Sequence, residues 1–215
     1  MKSLSAVLGL LLMSAAASMA TPLTLKLDDG SNPVVTVTDD GAGDSNLVNG
    51  AVTWIGTLGV WTVNVSTGIG FPLQGSLSWP YLDLNSINVS NAAGTLTLTL
   101  TQGGFTAPPP PGFLFQIGGT TQGTVNAAAC VDAVISTCND AVLGPFLGGA
   151  FSGVTSFVKP LADGTYEVGI QIVLTHGGAA TSSFDAELTG IPELGTYALI
   201  GAGLLGLGLL RRRMS

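Results

Sequence analysis

Residues 95–101 alternate threonine and leucine without a break, and the same alternation recurs in looser form along most of the chain. Side chains two apart share a face only when the backbone is extended, so such a run places every leucine on one side and every threonine on the other. Trp61, Val63 and Val65 against Thr62, Asn64 and Ser66 read the same way, as do Val168, Ile170, Ile172 and Leu174. Further runs lie at 23–27, 34–38, 51–55, 83–89, 113–117, 150–158 and 183–188, and they are separated by Gly, Asn, Asp and Pro. No stretch of helical period interrupts them between Thr21 and Gly190. The pattern predicts an all-β domain. Ten short strands, each with one apolar face, favour an antiparallel β-sandwich; a closed β-barrel uses the same alternation and is the alternative. The proline run 108–111 cannot join a ladder and reads as an extended surface connector.

The two ends break the pattern. Lys2, an apolar stretch over 4–13 and small residues closing on Ser18-Met19-Ala20 make residues 1–20 a secretory signal peptide, cut after Ala20. At the other end, residues 194–210 carry no charge and are followed by Arg211, Arg212 and Arg213. As a helix this run is about 26 Å long, just short of a hydrocarbon core of about 30 Å, and its five glycines weaken it further. Arginines behind a span stay on the cytoplasmic side, which leaves residues 21–189 outside as one exported domain and 190–215 as its tail. Up to Glu193 the exported part keeps two lysines against thirteen carboxylates, a formal charge of −11. Nucleic acid is therefore excluded as a partner, because phosphate binding needs Lys and Arg.

Pro192-Glu193, then a glycine-rich apolar run, then Arg211, Arg212 and Arg213 at the C-terminus: this order resembles the PEP-CTERM sorting signal. Pro192 and Glu193 match the first two positions of the family's Pro-Glu-Pro, and Leu194 stands where it has the second proline. The resemblance covers about the last 25 residues. It implies handling by an exosortase-type membrane enzyme, after signal peptidase and the secretion machinery have acted. The inner membrane would hold the precursor transiently, and the product would go to the cell surface or the extracellular, biofilm-like matrix.

Chemistry is sparse. Cys130 and Cys138 are the only cysteines, and in an exported chain so close a pair most simply forms a disulfide; two free thiols are the other reading. His176 is the sole histidine, beside Gly177-Gly178, and reads as a turn residue. One histidine supports neither a multi-histidine zinc site nor, without a nucleophile elbow, a Ser-His-Asp set, so the chain does not read as an enzyme. No cofactor motif is present. In the loop 39–46, Asp39, Asp40, Asp44 and Asn46 offer oxygens for Ca²⁺, although the same residues serve a hairpin turn. Trp79 and Tyr81 flank Pro80 between strands and could present aromatic faces to a glycan. Residues 95–101 lack charge and proline; at an edge they would favour self-association, and in the centre of a sheet their threonines would coat a solvent face. The sequence thus points to a structural or interaction protein of the cell surface, with an extracellular glycan- or calcium-binding module as the alternative.

Overall fold

A computed structural model describes residues 20–106, 110–132, 137–161 and 164–191. The tail residues Pro192, Glu193, Leu194, Arg211, Arg212 and Arg213 lie outside the described residues, as does the leader up to Met19. Among the described residues no helix is long and apolar enough to cross a membrane.

The fold is all-β and antiparallel, and each run expected from the alternation lies within or overlaps a strand. In chain order these are β1 (Thr24–Asp28), β2 (Val35–Thr38), β3 (Ala51–Leu58), β4 (Trp61–Ile69), β5 (Tyr81–Ser90), β6 (Gly94–Thr106), β7 (Gly112–Asp132), β8 (Ala141–Phe157), β9 (Thr165–His176) and β10 (Ala180–Ile191). Hydrogen bonding runs β2-β1-β6-β9-β7-β10-β5-β4-β3, with β8 on the other side of β7. The terminal strands β2 and β3 are not paired to each other, so the sheet does not close into a barrel.

β7 is the strand that makes two layers out of this path. Its first half pairs with β10, from Gly112↔Ile191 to Thr121↔Ser182, and its second half pairs with β9, from Thr124↔Thr175 to Asp132↔Glu167. Strands β5 and β10 consequently lie over β9, and β4 and β5 over β6. The core is the space between them, filled by Leu25, Leu27, Leu82, Leu84, Leu96, Leu98, Leu100, Phe113, Phe115, Ile170 and Ile172, all fully buried. Each such side chain contributes about 1.5–3 kcal/mol by leaving water.

β6 sits between β1 and β9, and from Thr97 to Thr101 its backbone is paired on both sides, so that stretch is central and not a free edge. Its leucines are buried and its threonines face outward. β4 departs from simple alternation: a bulge between Val63 and Val65 shifts the register, and Ser66, expected on the outer face, is fully buried beside Ser86. An extra residue in one strand of a pair reverses the facing of all that follow.

Candidate functional site

The outer face of the layer β3-β4-β5-β10-β7-β8 carries its side chains in cross-strand rows. One row reads Ile69, Asp83, Glu187, Gln116, Val154, and the next reads Thr67, Asn85, Asp185, Gly118, Ser152. Gly118 is the break in this array. With no side chain between Asp185 and Ser152, the surface sinks into an open groove of about 620 Å³ lined by Gln116, Gly118, Ser152, Val154, Asp185 and Glu187. Gln116 Nε2 donates to Glu187 Oε2 at 2.9 Å, which holds two polar side chains parallel along one wall.

Its carboxylates are crowded. Partial burial, followed by the charge of Asp185, pushes the Asp83 carboxyl up to about 6. Tyr81, one row away, is pushed up to about 12, chiefly by burial and then by the charge of Glu187. The aromatic pair expected from the sequence is therefore divided. Tyr81 joins the carboxylate rows, whereas Trp79 is half-buried with its indole N–H donating to the Gly190 carbonyl at 3.0 Å, near Pro110.

The residues proposed for Ca²⁺ hold their own loop. Asp44 Oδ1 accepts from the amides of Asn46 (2.9 Å) and Thr53 (2.8 Å), and Asp44 Oδ2 accepts from Asp40 N–H at 3.1 Å. Asn46 Oδ1 accepts from Val48 N–H, and Asp39 Oδ2 from Gly50 N–H. Both oxygens of Asp44, the Oδ1 of Asn46 and the Oδ2 of Asp39 are thus committed to backbone amides. Among the described residues no three His, Cys, Asp or Glu side chains are grouped to hold a metal.

Cys130 and Cys138 are joined in a disulfide at the β7–β8 connection. Asp140 braces the same end, accepting from Val131 N–H at 2.8 Å and pairing with Lys159 Nζ at 2.9 Å.

His176 corrects the turn reading. It is buried, its ring centroid is 4.6 Å from that of Trp61, and both nitrogens are engaged. Ser90 Oγ lies 2.8 Å from Nδ1 and donates its proton to the Gly178 carbonyl, so Nδ1 must be the protonated nitrogen. Nε2 then accepts from Ser182 Oγ at 2.8 Å, Ser182 accepts from Thr121 Oγ1 at 2.6 Å, and Thr121 accepts from Gly123 N–H. Every donor points the same way along this chain. Burial pulls the imidazole below its usual range, in keeping with a neutral ring. The network stitches β5, β7, β9 and β10 where β7 leaves one layer for the other.

No protein-family model matches the chain, and no curated protein is significantly similar to it. Among solved structures, TmCBM61 in complex with beta-1,4-galactotriose is 8% identical over 63% of this chain and 92% of that one, with a TM-score of 0.33. The N-terminal cellulose-binding domain of Cellulomonas fimi beta-1,4-glucanase C is 15% identical over 51% and 85%, with a TM-score of 0.27. Beta-glucosidase from Kluyveromyces marxianus in complex with glucose is 14% identical over 85% of this chain but only 17% of its own length, with a TM-score of 0.37. Likeness at this level does not bear on the groove, which has to be read from its own residues.

Proposed function

We propose that the chain is an exported surface module that binds a neutral glycan in the groove over Gly118. The observation that carries the reading is the gap itself: one missing side chain in an ordered array, walled by Gln116, Glu187, Asp185 and Ser152. Sugar hydroxyls both donate and accept, and a wall that alternates carboxylate with amide offers both roles at strand spacing. The volume suits a short oligosaccharide. Anionic ligands would be repelled by Asp83, Asp185 and Glu187 together. The Cys130–Cys138 bond suits an oxidising compartment. In this proposal signal peptidase removes the leader, and an exosortase-type enzyme acts at Pro192-Glu193 to deliver the domain to the cell surface.

The test uses the full chain in detergent and a panel of neutral oligosaccharides. Gly118→Leu is expected to abolish binding without unfolding the domain, since a Cβ at Gly118 meets nothing closer than the Phe151 carbonyl at 3.8 Å. Glu187→Gln should weaken binding about tenfold, the loss of one charge-assisted hydrogen bond of about 1.5 kcal/mol, and Gln116→Ala about fivefold, the loss of one neutral hydrogen bond of about 1 kcal/mol. A Gly118→Leu protein that binds as the wild type does, or a wild type that binds no member of the panel, sinks the proposal.

A second reading, self-association, is favoured by β8. Among the described residues it pairs only with β7; the chain carries no charge from Ala141 to Val158 and exposes Val142, Leu147, Val154 and Val158. A long uncharged edge is a template for another strand. Sedimentation should report a dimer or larger species that Leu147→Lys dissociates; a wild type that stays monomeric up to high micromolar concentration excludes it.

A further inference from the structure

The residues next to the expected leader cut are built into the fold. Thr21 N–H donates to the Gly103 carbonyl at 3.0 Å, and Gly103 N–H donates back to Thr21 Oγ1 at 2.8 Å. This two-way clamp fastens residue 21 to β6 at its bulge between Gln102 and Phe105. On the other side Asp39 N–H donates to the Leu23 carbonyl at 2.9 Å, extending the β1–β2 ladder and setting Asp39 and Asp40 alongside Leu23 and Pro22. Ala20, Thr21, Pro22, Asp39, Asp40, Phe71 and Gln102 line one groove of about 510 Å³. Glu167 packs on Gly103 at the clamp, with its Cγ 2.9 Å from where a Cβ at Gly103 would lie.

Asp39 and Asp40 thus share the groove with Thr21, Glu167 packs beside Thr21 Oγ1 at Gly103, and among the described residues no lysine or arginine lines the groove. Asp39 is the unusual one. Its Oδ2 is bonded to Gly50 N–H, but its Oδ1 is buried with no partner among the described residues, a costly arrangement for an acceptor. Burial, with the charges of Asp40 and Asp44, holds its carboxyl above the usual range. A single added positive charge would relieve all of this, and the chain can supply one.

We infer that this groove is the seat of the mature N-terminus: hydrolysis of the Ala20–Thr21 bond leaves a Thr21 α-ammonium that keeps its bond to Gly103 and pairs with Asp39. One water is consumed. The Ala20 carboxylate departs with the leader, and the Thr21 amine takes up a proton. Before the cut the nitrogen is a neutral amide with one hydrogen to give; afterwards it carries three donors and a charge. Removal of the leader would therefore complete the polar contacts at one end of β1, so that export and final stability are linked. The inference rests on the leader expectation and is independent of the glycan groove.

The full chain should be produced in an exporting bacterial host and its N-terminus sequenced, with Thr21 expected first. Acylation of the α-amine near neutral pH is then compared for the folded chain and for the same chain in concentrated urea. A docked ammonium loses its proton less readily than the ordinary α-amine at about 8, so folded protein should react roughly tenfold more slowly. Asp39→Asn should remove most of that protection. A first residue other than Thr21 overturns the cut; a Thr21 terminus that reacts equally fast folded and in urea overturns the seat, and an Asp39→Asn chain that keeps the full protection overturns the pairing with Asp39.

Discussion

Replacing His176 by alanine is expected to cost about 3–5 kcal/mol of folding stability, which for a residue outside any ligand groove is at the upper end of single-site effects. Two losses combine. The ring fills the space against Trp61, and its removal leaves a cavity there. It also leaves Ser90 and Ser182 buried with their hydrogen bonds to the imidazole unmade, at about 1–3 kcal/mol for each group that finds no other partner. The same network makes stability pH-dependent. The unfolded histidine titrates near 6.5, whereas burial lowers the folded value, so below about 6.5 the unfolded state binds the extra proton. The histidine contribution is then complete above 6.5 and lost as pH falls from there through the folded-state value. Protonating Nε2 in place would set two donors, Nε2–H and Ser182 O–H, against each other. Asp83 acts in the opposite sense: its folded value near 6 exceeds the unfolded one, so its contribution is present at low pH and is lost as pH rises through about 6. Urea melts from pH 7.5 to 5 in an Asp83→Asn background remove that opposing contribution, and leave Asp39, whose carboxyl is also raised, as the remaining one of the same sign. Stability that stays flat over that range, or a His176→Ala chain within 1 kcal/mol of its parent, contradicts the buried neutral ring.

The strands could be read from the sequence because period two survives wherever one face is buried and the other is wet. Residues 95–101 are the plainest instance, with leucines at zero exposure and threonines outside. β7 extends beyond the run visible in the sequence because residues 118–132 are rich in Gly, Ala and Thr, and the first half of β8 is hidden because Gly144, Pro145, Gly148 and Gly149 interrupt its apolar residues. Small side chains leave little apolar contrast between the faces, and the ladder there is specified by its neighbours. The buried network leaves a trace in the sequence of β5. Ser86, Asn88 and Ser90 fall in phase with Leu82 and Leu84, so polar residues occupied core positions in plain view. What needed three dimensions was the partner: His176 is 86 positions from Ser90. The groove was less legible still. Asp83, Gln116, Asp185 and Glu187 lie on three strands, and only the cross-strand register sets them in rows. Gly118 becomes informative only once Asp185 and Ser152 are known to flank it.

Adjacent glycines on β7 should respond in opposite ways to the same change, and the contrast tests the register on which the groove depends. At Gly119 an added Cβ would run into the Ser183 carbonyl oxygen and stand 2.9 Å from the Phe184 Cα, both backbone atoms of β10, with Phe151 Cζ at 3.0 Å. Backbone in the middle of a paired sheet cannot step aside without breaking the ladder between Gly119 and Phe184. Gly119→Ala is therefore expected to cost about 2–4 kcal/mol, an overpacking penalty at the high end because the obstacle is main chain. One residue earlier, a Cβ at Gly118 points to the outer face and meets only the Phe151 carbonyl at 3.8 Å. Gly118→Ala should lie between neutral and about 1 kcal/mol stabilising, since a strand residue with a Cβ has less freedom to lose on folding. Denaturant melts of the two variants settle the point. If Gly119→Ala is as stable as Gly118→Ala, β7 and β10 are not paired as Gly119 against Phe184. The rows that place Gln116 beside Glu187 and Gly118 beside Asp185 would then dissolve, and the groove with them.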